Sequence, residues 1–157
     1  MSCAKSRIHN WVIDMMRYEK LLDEIEQGNT FLVQTKSDRQ PAKSMRMGRD
    51  CAIFFDESAF ETNAERFVAL AHEKGHCDSG IFYNIHTPLQ TRGRCEYLAW
   101  KWAVIEYLPF DKLIEAVHAC KTAEGVSAHE LAEYLEITAD FLALAIDTYI
   151  CLGKQIA

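Results

Sequence analysis

The segment 62–76 constrains the fold of this chain more than any other part of its sequence. Thr62 and Glu65 fit a capping box, which marks the first turn of a helix. Apolar residues then recur at helical spacing and form one narrow stripe: Ala64, Phe67, Val68, Ala71 and Gly75. The pattern predicts a helix that carries this stripe on one face, with two histidines beside it.

The front of the chain predicts a helix followed by short strands. Apolar residues at helical spacing indicate a helix over 8–26, which ends before the Gly-Asn pair at 28–29. Two short apolar runs, 31–35 and 51–55, fit strands. The stretch 36–49 between them is polar and basic, and it fits a solvated loop or an exposed strand.

After the central helix the sequence is almost wholly helical in its pattern. We expect a helix over 93–107 and another over 110–120, which Pro109 opens. The segment 127–152 then predicts a short helix, a turn near 136–138 and a longer helix.

These elements predict one domain of the α+β class. A length of 157 residues suits a single domain, and we treat 1–157 as that domain. The segment from about 109 to 152 forms a helical subregion of it. The expected architecture is a front helix, a small sheet and then a mostly helical half.

The charge distribution argues against a protein that binds nucleic acid. The formal net charge is −6, so the overall field repels phosphates. The segment 128–149 has the outline of a helix-turn-helix, yet the stretch 122–153 that contains it has six acidic residues and neither Lys nor Arg. A recognition helix needs cations that face the phosphates, so we expect no direct nucleic-acid partner.

The sequence predicts a cytoplasmic protein with free thiols. No apolar run approaches the roughly 20 residues of a membrane helix, and residues 1–10 are polar, unlike a signal peptide. The six cysteines include no C-x-x-C pair. Without a secretion signal, free thiols are favoured over disulfide bridges.

The residues His72-Glu73-Lys74-Gly75-His76 form an H-E-x-x-H motif. Two histidines four positions apart on a helix share a face, so both imidazoles can reach one Zn²⁺. Glu73 is placed to act as a general base rather than as a ligand. The alternative is a helix with two solvated or core-capping histidines. We expect a metal site for Zn²⁺, with Mn²⁺ as a second possibility.

A catalytic zinc site usually has a third protein ligand. Glu96 is the favoured residue because it lies at the start of the next helix and shares a face with Ala99 and Ala103. These two small residues allow that helix to pack closely on the histidine helix. His86, in a predicted loop, is a minor candidate. The alternative for Glu96 is an exposed carboxylate that the helix dipole favours.

The segment 96–103 reads E-x-x-A-x-x-W-A, and it resembles the second motif of the ImmA/IrrE family of metallopeptidases. The resemblance covers about residues 46–152. The order of basic segment, strand, capped helix and metal motif is also similar to that of the family. It is closest to the short ImmA-like members encoded by prophages and integrative elements. Lys74 and Cys77 depart mildly from the family pattern, and neither removes a ligand.

The resemblance implies a zincin-like fold and a zinc-dependent, site-specific endopeptidase. It implies His72, His76 and Glu96 as metal ligands and Glu73 as the general base. The implied substrate is a helix-turn-helix repressor of a prophage or mobile element. The alternative is a catalytically silent zincin-fold module that binds a repressor without cleaving it, and the retained Glu73 argues against that alternative.

Two further roles stay open on the sequence. Tyr83, His86 and Tyr97 are candidates for the donor that stabilises the oxyanion, and the sequence does not choose among them. The region 46–55 is a hypothetical edge strand that aligns the substrate chain by main-chain pairing. Trp100 and Trp102 lie on different faces of one helix and are interpreted as core anchors.

Overall fold

The structure is a computed structural model that describes residues 17–37 and 39–156. The chain is helical over 17–27 (α1), which confirms the predicted front helix from residue 17 onward. The first part of that prediction, 8–16, lies outside the described residues. Helix α1 ends as predicted, because the chain turns where Gly28 donates its amide to the carbonyl of Ile25.

Three strands form a small mixed sheet. Strand β1 spans Thr30–Gln34, β2 spans Ala42–Met47 and β3 spans Asp50–Phe55. The order is β1-β3-β2, with β1 parallel and β2 antiparallel to the central β3. Strands β2 and β3 form a hairpin, whose turn contains Gly48 at a φ of +68°. The two predicted strands are therefore confirmed to within one residue at each end.

The basic stretch supplies the edge strand next to the helices, and this corrects the hypothesis for region 46–55. Most of that region belongs to β3, whose two edges are already paired with β1 and β2. Strand β3 therefore cannot align another chain by main-chain pairing, and within 46–55 only Arg46 and Met47 lie on an edge strand. Strands β1 and β2 are the two edges of the sheet, and β2, Ala42–Met47, packs against α2.

The long helix predicted around the H-E-x-x-H motif is confirmed as α2, Asn63–Ser79. Thr62 and Glu65 form the predicted capping box, in which each side chain accepts the other residue's amide at 3.2 Å. Gly80, at a φ of +67°, ends the helix. Phe67, Val68 and Ala71 of the predicted stripe are buried in the core.

The later helices follow the predicted order. Helix α3 spans Leu89–Tyr107, α4 spans Phe110–Cys120, α5 spans Ala128–Leu135 and α6 spans Ala139–Cys151. Only α3 differs, since it begins four residues before the predicted start. Pro88 stands at its N-cap, and the first turn of α3 contains Leu89 as its single apolar residue, so it has no apolar periodicity that could mark a helix.

The acidic tail packs on the rest of the domain. Helix α5 contacts α4, and α6 contacts α3. The hydroxyl of Tyr149 donates to the carbonyl of Leu108 at 2.7 Å, which ties α6 to the end of α3. The turn at 136–138 is confirmed, with Glu136 at a φ of +58° and Thr138 as the cap of α6.

Helix α2 lies at the centre of the domain. It contacts β2 and β3 on one side and α3 on the other. The architecture is therefore α+β, as predicted, with one core shared by the sheet and the helices. Within residues 17–37 and 39–156, no helix is long and apolar enough to cross a membrane.

Helices α2 and α3 approach most closely at Gly75. A Cβ atom placed there would lie 2.5 Å from the carbonyl oxygen of Ala99, which is backbone and cannot rotate away. Ala99 is fully buried at this contact, and Ala103, one turn later in α3, is fully buried as well. The close packing expected from the two alanines is therefore present, and Gly75 is its counterpart on α2.

The substitution Gly75→Ala is expected to lower the free energy of unfolding by about 1–3 kcal/mol, because α3 must move away from α2. Gly93→Ala is the matched control, since Gly93 lies in α3 with no atom within 4 Å of a new Cβ. Helix propensity alone makes that change stabilising by about 0.5–1 kcal/mol. Urea unfolding measures both, and equal stability of the two variants would contradict the close contact.

Candidate metal centre

The structure brings the three predicted ligands together. Helix α2 supplies His72 and His76, one turn apart, and α3 supplies Glu96. The Nε2 atom of His72 lies 3.0 Å from Oε2 of Glu96, and Nε2 of His76 lies 3.2 Å from Oε1. One ligand atom from each residue falls within 4.8 Å of the other two, so the group could hold a metal ion.

The hydrogen bonding of His76 fits a cation at this point. Its Nδ1 atom lies 2.8 Å from the carbonyl oxygen of Ile81, which can only accept, so Nδ1 carries the proton. In the neutral ring, Nε2 then presents a lone pair to a carboxylate oxygen of Glu96. Two acceptors facing each other repel, and a cation between them satisfies both. The donor set therefore fits Zn²⁺, which takes imidazole nitrogen and carboxylate oxygen.

His72 is held as a neutral imidazole. Burial lowers its pKa to about 4, with a smaller contribution from His76. The ring stacks on the indole of Trp100 at a centroid distance of 3.9 Å, which fixes its orientation. Its Nε2 atom is directed at Glu96, whereas its Nδ1 atom is buried without a hydrogen-bond partner in the described chain. A metal ligand requires this neutral form.

Glu73 lies beside the three ligands without joining them. Its Oε2 atom accepts a hydrogen bond from the amide of Ser44 on β2 at 2.5 Å. Burial raises the pKa of Glu73 above the ordinary glutamate value, although the Ser44 amide acts in the opposite direction. A raised pKa suits a carboxylate that accepts a proton near neutral pH.

Of the three oxyanion candidates, the structure brings Tyr83 to the site. The side chain of Tyr83 lines a cavity of about 210 Å³ that His72, Glu73, His76 and Glu96 also line. A hydrogen bond to Glu96 is the main cause that raises its pKa to about 12, so its hydroxyl keeps its proton. His86 and Tyr97 are exposed and do not line this cavity. His86 is also outside the ligand group, so it is not the third ligand.

Four groups at the site were not predicted from the sequence. They are the amide of Ser44, the carbonyl of Ile81, the interaction of Tyr83 with Glu96 and the stacking of Trp100 on His72. The first two are backbone groups, which every residue carries, so no residue type marks them. Trp100 packs against the core as predicted and in addition orients a candidate ligand.

The cysteine prediction is wrong for one pair. Cys51 of β3 and Cys77 of α2 form a disulfide, with their Cα atoms 5.6 Å apart. Strand β3 packs on α2, and this brings together two cysteines that are 26 residues apart in sequence. Cys95, Cys120 and Cys151 are free, as predicted, and Cys3 lies outside the described residues.

Reduction of the Cys51–Cys77 bond is expected to lower the free energy of unfolding by about 3.5 kcal/mol, the chain-entropy value for a closed loop of this length. Urea unfolding with and without dithiothreitol measures the change. Cys77→Ala should be insensitive to the reductant, whereas Cys151→Ala, which changes a free cysteine, should respond like the unmodified protein. A thiol count that is the same before and after reduction would contradict the bond.

Comparison with known proteins gives no family assignment. The chain matches no protein-family model, no curated protein and no solved structure. The functional interpretation therefore depends on the site itself and on the motif resemblance described above.

Proposed function

We propose that this protein is a zinc-dependent endopeptidase with a zincin-like fold that hydrolyses a peptide bond in a partner protein. One observation carries the proposal: His72, His76 and Glu96 converge on one point while Glu73, on the same helix, stays outside the group. A site that serves structure alone has no use for an adjacent carboxylate of raised pKa. When bound there, Zn²⁺ supplies a Lewis acid that acidifies water and polarises a carbonyl.

The residues of the chain have distinct roles in this hydrolysis. Glu73 accepts a proton from the attacking water and returns it to the leaving amine, and its raised pKa favours the first of these two transfers. The Ser44 amide holds the carboxylate at the edge of the cleft. Tyr83, whose hydroxyl stays protonated and which lines the same cavity, is the proposed donor to the developing oxyanion.

The proposed substrate is a helix-turn-helix repressor of a prophage or mobile element. The similarity of residues 96–103 to the second ImmA/IrrE motif supports this choice, together with the order of segments before it. Zn²⁺ is the favoured metal because two imidazoles and one carboxylate form the donor set, and Mn²⁺ is the second candidate.

The direct test first asks whether the neighbouring gene encodes a helix-turn-helix protein. That protein is then incubated with the zinc-loaded enzyme, and the products are analysed by mass spectrometry. We expect two fragments from a single cut and no cut after removal of zinc by a chelator. Re-addition of Zn²⁺ should restore cleavage. Stable binding without any cut would instead favour a silent module that binds the repressor.

A further inference from the structure

The cleft continues past Glu73 into a second, larger groove. We propose that this groove binds a large apolar side chain of the substrate, beside the bond to be cut, and that a Lys or Arg next to that side chain adds to recognition. The inference rests on the proposed function, since it assigns the sequence that the same site would select.

The groove and the small cavity at the ligands are two halves of one cleft. The groove has a volume of about 840 Å³, and His72 and Glu73 line both spaces. A side chain in the groove would therefore lie directly beside the groups proposed to react. Its volume is in the range of about 300–1,000 Å³ that is typical of ligand sites.

Apolar side chains from the sheet and three helices form the walls of the groove. Trp100 stacks on His72, and Phe141 of α6 lies next to Trp100, with ring centroids 6.1 Å apart. Ala42 on β2 and Ala69 on α2 also line the groove, and their small side chains leave space for an occupant. The walls match the aromatic or branched aliphatic side chain of a substrate.

The rim of the groove is acidic. Glu61 and Asp140 are exposed there, whereas the carboxylate of Glu65 already accepts the amides of the helix cap. Among the described residues that line the groove, none is Lys or Arg. The small cavity on the other side of Glu73 is lined by Lys43 and Arg92. The two halves thus differ in charge, and the acidic half is complementary to a basic residue.

Binding can be measured without cleavage in the zinc-loaded Glu73→Gln variant. Fluorescein-labelled 12-residue peptides provide the probe: one with Phe beside two Lys, one with Phe beside two Glu, and one with Ala beside two Lys. We expect the Phe-Lys-Lys peptide to bind about tenfold more tightly than either of the others, as judged by fluorescence anisotropy. Equal affinities for the three peptides would overturn the proposal.

Substitutions in the groove test its apolar walls and its acidic rim separately. Ala69→Phe fills the groove and should abolish the preference for Phe over Ala. Asp140→Asn combined with Glu61→Gln should reduce the preference for Lys over Glu about threefold or more. Asp147→Asn is the matched control, since Asp147 lies exposed on the same helix but does not line the groove. These charge variants change only exposed side chains, so they test the rim even if Ala69→Phe does not fold.

The outcome separates this inference from the proposed function. Cleavage of the repressor together with equal binding of the three peptides would contradict the groove alone. Selective peptide binding by a protein whose zinc-loaded wild-type form cuts nothing would contradict the peptidase alone. An Asp147→Asn variant that loses the Lys preference as strongly as the rim variant would also overturn the assignment of the acidic rim.

Discussion

Replacement of Glu73 by Gln is expected to lower the rate of peptide-bond hydrolysis by about a thousandfold, with zinc content unchanged. An amide has the size of the carboxylate and its oxygen can still accept the Ser44 amide, but it cannot take a proton from water. A positioned general base contributes about 10²–10⁴ to such a rate. The measurement is kcat/KM on a fluorogenic peptide that the wild-type protein cuts, with zinc determined on the same samples.

Glu106→Gln is the matched control for this change. Glu106 lies exposed on α3 and does not line the cleft, so its variant should keep the wild-type rate. A Glu73→Gln variant with the wild-type rate would remove Glu73 from the chemistry. Loss of zinc from that variant would show that Glu73 is a metal ligand. That result would contradict the structure, in which Glu73 lies outside the ligand group.

Replacement of Glu96 by Ala is expected to weaken zinc binding by about a thousandfold or more and to abolish hydrolysis. Glu96 is the only acidic residue among the three grouped ligands, and each of its oxygens faces one histidine. Without it, two neutral imidazoles remain, which is one ligand fewer than a catalytic zinc site usually has. Competition with a chromogenic chelator measures the affinity.

Thermal stability provides an independent readout of the same change. At a zinc concentration of about 1,000 times Kd, binding to the folded protein alone stabilises it by about 4 kcal/mol. We expect this stabilisation in the wild-type protein and in Glu106→Ala, and none in Glu96→Ala. Zinc that stabilises Glu96→Ala as strongly as the wild-type protein would place the ion elsewhere.

The parts of the fold that local sequence determines could be predicted. The capping box at Thr62, the helix opened by Pro109 and the turn at 136–138 each depend on residues within one or two turns. The predicted start of α3 is too late because the turn after Pro88 has one apolar residue, Leu89, and therefore no helical periodicity. Local patterns therefore fix the elements more reliably than their ends.

The candidate ligands could also be predicted from the sequence. The spacing of His72 and His76 places both on one helix face, and Ala99 indicated that the next helix packs closely enough to bring Glu96 near them. Gly75, the counterpart of Ala99, was recognised only as part of an apolar stripe. The reason for a glycine at this position is the close backbone of Ala99, which the local sequence does not reveal.

Features that depend on the packing of distant segments could not be predicted. The Cys51–Cys77 bond joins β3 to α2 across 26 residues, without a C-x-x-C pair to mark it. The groove beside Glu73 is built from four separate elements, so no single stretch of sequence contains its pattern. The order of the strands also depends on the packing of distant segments. The basic stretch is an edge strand because the other side of β3 pairs with β1.

X-ray absorption at the zinc edge tests the central claim most directly, since it reads the atoms around the bound ion. Protein loaded with one equivalent of Zn²⁺ should show only nitrogen and oxygen neighbours at about 2.0–2.2 Å, with outer-shell scattering from two imidazoles. Sulfur at about 2.3 Å, scattering from fewer than two imidazoles, or failure to retain the ion would contradict a centre built from His72, His76 and Glu96.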